Sequence, residues 1–153
     1  MSSHSWTSGP RCRRAAAAVE MALVTPLLGL LLIGMFELSR GMMAKETLCN
    51  AARKGCRTGI LRQYGNTDIA NDCTNVMRDN GYDATKFNPP TIGTITVTVT
   101  DPNGNTLSDA LDAPPGSKVS VQVTIPVSSV SWTSSFYLTT AMLESDVMVM
   151  MKQ

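Results

Sequence analysis

AAAAVEMALVTPLLGLLLIGMF, residues 15–36, decides the fold of this chain, because these 22 residues include one charged side chain, Glu20. A helix of this length is about 33 Å long at about 1.5 Å per residue, which is enough to cross a bilayer. Each leucine, isoleucine, valine or phenylalanine favours insertion by about 0.3 to 0.6 kcal/mol, and together they outweigh a cost of up to about 3 kcal/mol for the carboxylate. A membrane helix also tolerates Pro26 with a kink. The segment is therefore predicted to be a transmembrane helix.

The arginines in front of this segment predict its orientation. Arg11, Arg13 and Arg14 favour a cytoplasmic N-terminus, so residues 1–14 are interpreted as a cytoplasmic leader and residues 37–153 as an extracytoplasmic domain. The alternative is a secretory signal peptide that is cleaved off. Glu37 and Arg40 argue against it, because they stand where a small-residue cleavage site is expected.

Composition excludes several classes of function. A little over 100 residues follow the apolar segment, which is room for one small domain. The net charge is +1 and no basic run follows the arginines, so nucleic acid is not an expected partner. His4 is the single histidine and belongs to the leader, so no Ser-His-Asp or Cys-His arrangement is expected in the domain. We expect a protein that is not an enzyme and that needs no cofactor.

Two helices are predicted before residue 82. The first continues beyond the membrane to a break at residues 64–66, because residues 38–63 contain no proline and apolar residues recur at helical spacing. The second begins at Asn66 or Thr67 and ends at Asn80 and Gly81. The short link predicts that the two helices form an antiparallel hairpin. The apolar stripes are Leu38, Met42, Cys49, Ala52, Cys56 and Ile60 in the first helix and Ile69, Cys73, Val76 and Met77 in the second.

A β-sheet is predicted after residues 88–90. Valine and isoleucine alternate with polar residues at 95–99 and at 119–127, and a third strand is expected at 145–151. Pro126 cannot donate a ladder hydrogen bond, which places the end of the second strand at an edge or a bulge. Residues 136–143 receive no assignment. The fold class is α+β: a long N-terminal helix, a short second helix and a C-terminal antiparallel sheet, which is the general plan of a pilin.

No metal site is predicted. Asp101, Asn103, Asn105 and Asp112 have the spacing of a calcium loop, but Thr106 replaces the glycine that such a loop requires. The segment that begins at Asp101 is therefore interpreted as a turn, since Pro102 fixes the backbone and the following Asn-Gly pair accepts positive φ. The ten methionines could suggest copper, but their positions in predicted strands and in the membrane helix favour core packing and lipid contact.

The cysteines predict a disulfide between Cys56 and Cys73. Cys12 lies on the reducing cytoplasmic side, so three cysteines remain in an oxidising compartment. Cys49 and Cys56 are separated by about 10.5 Å along one helix, beyond the roughly 7 Å between α-carbons that a disulfide allows. With the hairpin turn centred near Gly65, Cys73 faces the neighbour of Cys56. Cys49 is then left as a small buried residue or as a partner of another subunit.

Three short segments resemble TadE/TadG-like proteins. RRAAAAVEMALVTPLL at 13–28 is similar to the opening of that family, and the likeness continues in MFELSR at 35–40 and LCNAARKGCR at 48–57. The resemblance implies a single-pass component of the bacterial inner membrane that belongs to the tight-adherence pilus machinery, also called Flp-type or type IVb. It further implies a pseudopilin rather than the abundant pilin. The implied partners are membrane lipid, other pilin or pseudopilin subunits and pilus assembly proteins.

The same resemblance implies a processing site. A prepilin peptidase would cut between Ala15 and Ala16, so that Glu20 becomes the fifth residue of the mature chain. Ala15 stands where the family usually has glycine, and Met21 where it usually has an aromatic residue, and the alternative is an uncleaved, anchored protein.

Two charged features of the apolar helix are candidate functional residues. Glu20 is unfavourable in lipid unless it is paired, and the N-terminal amine of a neighbouring subunit would both pair with it and fix helix register. The alternative is that Glu20 reaches the cytoplasmic interface. Glu37 and Arg40 can form an i, i+3 pair at the outer boundary, where juxtamembrane anchoring is the simpler role. The predicted function is assistance in pilus assembly, and the rival is a small secreted binding module.

Overall fold

The computed structural model describes residues 10–82, 93–127 and 142–153, with side chains from Arg14 onward. It divides into two compact units, Met1–Ser39 and Arg40–Gln153. The element order confirms the predicted α+β fold, with two helices followed by an antiparallel sheet. The elements are α1 Pro10–Gly59, α2 Asn66–Asp79, β1 Thr94–Thr100, β2 Thr106–Leu107, β3 Lys118–Pro126, β4 Met142–Glu144 and β5 Met148–Met151.

The first unit consists of the N-terminal part of α1. The helix continues through Pro26, and the Thr25 hydroxyl donates to the carbonyl oxygen of Met21 at 2.6 Å. Its apolar side chains are exposed, as shown by Leu23 at 74%. Among the described residues, α1 is the one helix that is long and apolar enough to cross a membrane. This is consistent with a single-pass membrane protein.

In the second unit, α1 buries a face that consists mostly of small residues. The buried side chains are Ala44, Leu48, Ala51, Ala52 and Cys56. The predicted stripe was partly correct: Ala52 and Cys56 are buried and Cys49 and Ile60 are half-buried, whereas Leu38 and Met42 are exposed. The buried Ala44 and Ala51 were missed, because a search for large apolar residues overlooks alanine. The helix also ends at Gly59, earlier than the predicted break at residues 64–66.

The second helix confirms the predicted start, end and stripe. Gly65 is the N-cap, and its backbone N–H donates to the Asp68 carboxylate at 3.0 Å. The helix ends at Asp79 with Asn80 as its C-cap, and the following Gly81 has a φ of +84°, which favours glycine. The buried residues are Ile69, Cys73 and Met77, with Val76 half-buried.

The antiparallel hairpin of α1 and α2 is also confirmed. The Thr58 hydroxyl donates to the carboxylate of Asp72, and the thiol of Cys73 donates to the Ala51 carbonyl oxygen at 3.3 Å. A Cβ on Gly59 would lie only 2.8 Å from Cδ1 of Ile69. Glycine at position 59 therefore permits this close approach of the two helices.

The sheet has the strand order β2-β1-β3-β4, and β5 also pairs with β3. All pairs are antiparallel, with Val97 opposite Val121 at the centre. Pro126 ends β3 opposite Met142, as expected for a proline at a strand end. The register along β3 shifts by one residue between β4 and β5, which indicates a bulge near Asp146.

One hydrophobic core joins the helical hairpin to the inner face of the sheet. The alternation in β3 buries every second side chain, and the threonines of β1 point to the opposite face. The buried core residues include Leu48, Ala52, Cys56, Ile69, Cys73, Met77, Val99, Val119, Val121, Val123 and Ile125. The alternation of apolar and polar residues in the strands therefore predicted correctly which face of the sheet is buried.

Some strand predictions need correction or lie outside the described residues. The third predicted strand begins at Met148 rather than at Ser145, because the bulge interrupts the pairing, and the two-residue β2 was not predicted. The proline-containing break at 88–90 and most of the unassigned segment 136–143 lie outside the described residues, as do His4 and the side chains of Arg11, Cys12 and Arg13.

The segment at Asp101 forms the predicted turn. The Asp101 carboxylate accepts the backbone N–H groups of Asn105 at 2.8 Å and Asn103 at 2.9 Å. Gly104 has a φ of +91°. The hydrogen bonds, above all that from the Asn105 backbone, lower the pKa of Asp101. The carboxylate is therefore used to hold the turn.

Candidate assembly site

The predicted processing site and Glu20 lie on one side of α1. A shallow concavity on this helix is lined by Ala15, Ala16, Val19, Glu20, Leu23 and Val24. All six side chains are exposed, so the carboxylate stands within a surface of alanine, valine and leucine. This surface suits contact with lipid or with another apolar helix, and Glu20 is its one charged group. Cleavage between Ala15 and Ala16 stays a prediction.

Glu37 and Arg40 are one helical turn apart in α1, near the end of its apolar part. Their predicted ion pair stays a prediction. Within the domain, the positive charge of Arg40 acts on Tyr82. Burial raises the pKa of the Tyr82 hydroxyl, while the charge of Arg40 and a hydrogen bond with Thr47 act in the opposite direction. Arg40 thus acts electrostatically on Tyr82, which follows α2.

The predicted disulfide between Cys56 and Cys73 is absent: both thiols are buried and free, as is the half-buried Cys49. The prediction placed Cys56 on the side of α1 that meets α2. In the structure Gly55 occupies that side, and a Cβ there would collide with the sulfur of Cys73. Cys56 instead faces the sheet and donates to the carbonyl oxygen of Met148 at 3.1 Å.

Both buried thiols are stabilised in their protonated form. Burial raises the pKa of Cys56, and it raises the pKa of Cys73 to about 12 with further contributions from Cys56 and Asp72. A thiol is nucleophilic and binds metal only as the thiolate, so these two cysteines are chemically inert at neutral pH. Their contribution is to packing. In the part of the chain described by the structure, no group of three or more His, Cys, Asp or Glu residues could hold a metal ion.

A polar clamp, formed by Asn66, Asp109 and the loop around Ala110, holds the start of α2 against the sheet. The backbone N–H of Asn66 donates to the Asp109 carboxylate at 2.9 Å, and the Asn66 side chain accepts the backbone N–H of Ala110 at 3.0 Å. The hydrogen bond from Asn66, followed by that from Leu111, lowers the pKa of Asp109. Sequence reasoning missed this clamp, because the partners are more than 40 residues apart.

The C-terminus closes the same region. Lys152 is buried, and its ammonium group donates to the carbonyl oxygen of Ala110 at 2.5 Å. Its backbone N–H also donates to the carbonyl oxygen of Ser117 at 2.8 Å. The clamp and the buried lysine give the domain a fixed end, although no pattern in the sequence near residue 152 distinguishes this lysine from an exposed one.

Comparisons with known proteins find a match for one part of the chain. No curated protein and no solved structure matches it. The family model of TadE-like proteins matches residues 15–57, which are the residues of the apolar helix and of the first helical part of the domain. This range coincides with the segments that carry the resemblance. Residues 15–57 of the chain are thus similar to TadE-like proteins.

Proposed function

We propose that the protein is a membrane-anchored, pseudopilin-like component that assists assembly of a tight-adherence pilus, or of a related secretion apparatus. The observation that carries the proposal is the TadE-like match over residues 15–57, because it covers both the candidate anchor and the helix that enters the domain. A TadE-like segment associates the chain with the Tad pilus system. The pseudopilin role is our extension of that association, and it is non-enzymatic.

The proposed location is the bacterial inner membrane, with the N-terminus in the cytoplasm and the domain outside. Exposed apolar side chains along the first part of α1 support the anchor, and the arginines before residue 15 support the orientation. The proposed partners are other pilin or pseudopilin subunits, pilus assembly proteins and a prepilin peptidase. Apolar helices that lie side by side in a membrane pack through van der Waals contact, and polar groups add specific pairs.

Glu20 is the residue proposed to set register between subunits. Its carboxylate stands alone in an exposed apolar helix surface, four residues beyond the proposed new N-terminus at Ala16. An amine from a neighbouring subunit would offset the cost of placing this charge in lipid. Register would then follow from the one position at which the two charges meet.

Replacement of Glu20 tests the proposal. In a host strain that lacks the chain, pili should be lost and should return with the wild-type gene. Glu20→Gln makes insertion easier, so the variant should be abundant in the membrane and yet support few pili. Glu46→Gln, which removes an exposed carboxylate from α1 outside the apolar segment, is the matched control and should restore piliation. Normal piliation in the deletion strain, or with abundant Glu20→Gln protein, contradicts the proposal.

A further inference from the structure

The last strand of the sheet has a free edge within the described residues. β5 pairs with β3, and no other described strand pairs with β5. The backbone N–H of Lys152 donates to Ser117 beside β3. Backbone groups alternate in direction along an antiparallel strand, so those of Met148 and Met150 also face β3. The N–H and C=O groups of Val149 and Met151 therefore face outward.

Apolar side chains are exposed at Val149 and Met151 and at Val147, which directly precedes β5. Val147 and Val149 are each 56% exposed and Met151 is 58% exposed. Proteins usually protect an edge strand with a charged residue or a proline, and residues 147–151 contain neither. An exposed apolar edge of this kind can accept a strand from another chain.

We infer that β5 pairs with the β5 strand of a second copy of this chain, antiparallel and centred on Val149. In this register Val149 lies opposite Val149 of the second copy, and Val147 lies opposite Met151. In the central pair the backbone groups of both Val149 residues face the other strand, so this pair can form the two hydrogen bonds of a hydrogen-bonded pair. Their side chains lie on the same face and cover one another. The two copies are then related by a two-fold axis, so the same edge residues form both sides of the contact.

The charges next to the edge are compatible with β5 of a second copy as the partner strand. Asp146 is exposed next to residues 147–151, whereas Lys152 on the other side is buried and donates to Ala110. The register places the Asp146 residues of the two copies at opposite ends of the paired strands, so no like charges meet. Asp146 is held in its own chain by Lys45 at 3.5 Å. The contact buries little surface compared with the roughly 1,000 Å² or more of a stable interface, so it is expected to be weak between free molecules. It is expected to form where anchored chains reach a high local concentration. The inference does not depend on the pilus-related role.

Cysteine crosslinking in membrane vesicles tests the pairing and its register. The full chain is used with Cys12→Ser and Cys49→Ser, since Cys56 and Cys73 are buried. Two α-carbons in a hydrogen-bonded pair are about 5.5 Å apart, within the range that a disulfide spans. Val149→Cys should therefore give a disulfide-linked dimer under mild oxidation. Thr98→Cys, exposed on the same face of the sheet but two strands away, should remain monomeric.

The register is tested by two further variants. Val147→Cys and Met151→Cys should each remain monomeric alone and should crosslink when the two variants are expressed together. Adding Val149→Lys to both should abolish that crosslink through charge repulsion at the axis, whereas adding Thr98→Lys should not. No Val149→Cys dimer, equal crosslinking by Thr98→Cys, or self-crosslinking of Val147→Cys would each overturn the inference.

Discussion

The thiol of Cys73 donates a hydrogen bond to the carbonyl oxygen of Ala51, with the sulfur and oxygen atoms 3.3 Å apart. This contact joins the middle of α2 to α1 at a point where both helices are buried. It also explains why Cys73 is free, since its sulfur is directed at the backbone of α1 and not at Cys56. Cys56 and Cys73 are therefore part of the core.

Thiol reactivity should follow burial. Cys49 is half-buried, whereas Cys56 and Cys73 are fully buried with raised pKa values. In the folded protein a maleimide should therefore modify Cys49 much faster than the other two, and unfolding in urea should make all three reactive. Mass spectrometry of tryptic peptides after timed labelling measures this order. Rapid labelling of Cys73 in the folded protein would contradict the packing described here.

Stability should fall at alkaline pH because of Cys73. Its pKa is raised from 9.0 to about 12, so the folded state keeps a proton that the unfolded chain loses above pH 9. The contribution of Cys73 to the free energy of unfolding is fully present below about pH 9. It decreases by up to about 1.4 kcal/mol per pH unit as the pH rises towards 12. Urea unfolding of the detergent-solubilised chain between pH 7 and 10.5 measures the slope. Cys73→Ala should show a shallower decline, and an equal slope in both proteins would contradict the assignment.

Gly59 should be required by packing rather than by backbone conformation. A Cβ at this position would lie 2.8 Å from Cδ1 of Ile69 and 2.9 Å from Cγ1 of Val119. Gly59→Ala should therefore cost about 1–3 kcal/mol of unfolding free energy, despite a gain of up to about 1 kcal/mol in helix propensity. Gly41→Ala meets open space and should be neutral or stabilising. Denaturant unfolding of the two variants compares them, and equal stability would show that the helix and the sheet are farther apart.

Asp109 should stabilise the start of α2. Asp109→Ala removes the acceptor for the N–H groups of Asn66 and Leu111 and should lower the melting temperature by several degrees. Asp112→Ala, an exposed acid in the same loop, should not. Because the pKa of Asp109 is lowered, its contribution is present above the unfolded pKa of about 4 and is lost as the pH falls through the folded value. Melting curves at pH 7 and pH 3 should therefore differ less for Asp109→Ala than for wild type.

Local patterns predicted the elements that depend on local chemistry. Alternating valine and threonine identified β1 and β3, and Asn66 and Gly81 marked the ends of α2. The predicted stripe of α1 missed the buried Ala44 and Ala51 and included the exposed Leu38 and Met42, because alanine and glycine carry little hydrophobic signal although they permit the closest packing. The pairing of Cys56 failed for the same reason. Contacts between distant residues, such as Asn66 with Asp109, have no signature in a single sequence.

The position of the mature N-terminus tests the central claim, that this is a membrane-anchored pilus component, most directly. N-terminal sequencing of the chain, after separation of membrane and soluble fractions, should find it in the membrane with α1 retained. The first residue should be Ala16 if a prepilin peptidase acts, and the leader should be intact if it does not. A soluble protein whose first residue lies beyond Arg40 would contradict the account and would favour the secreted binding module.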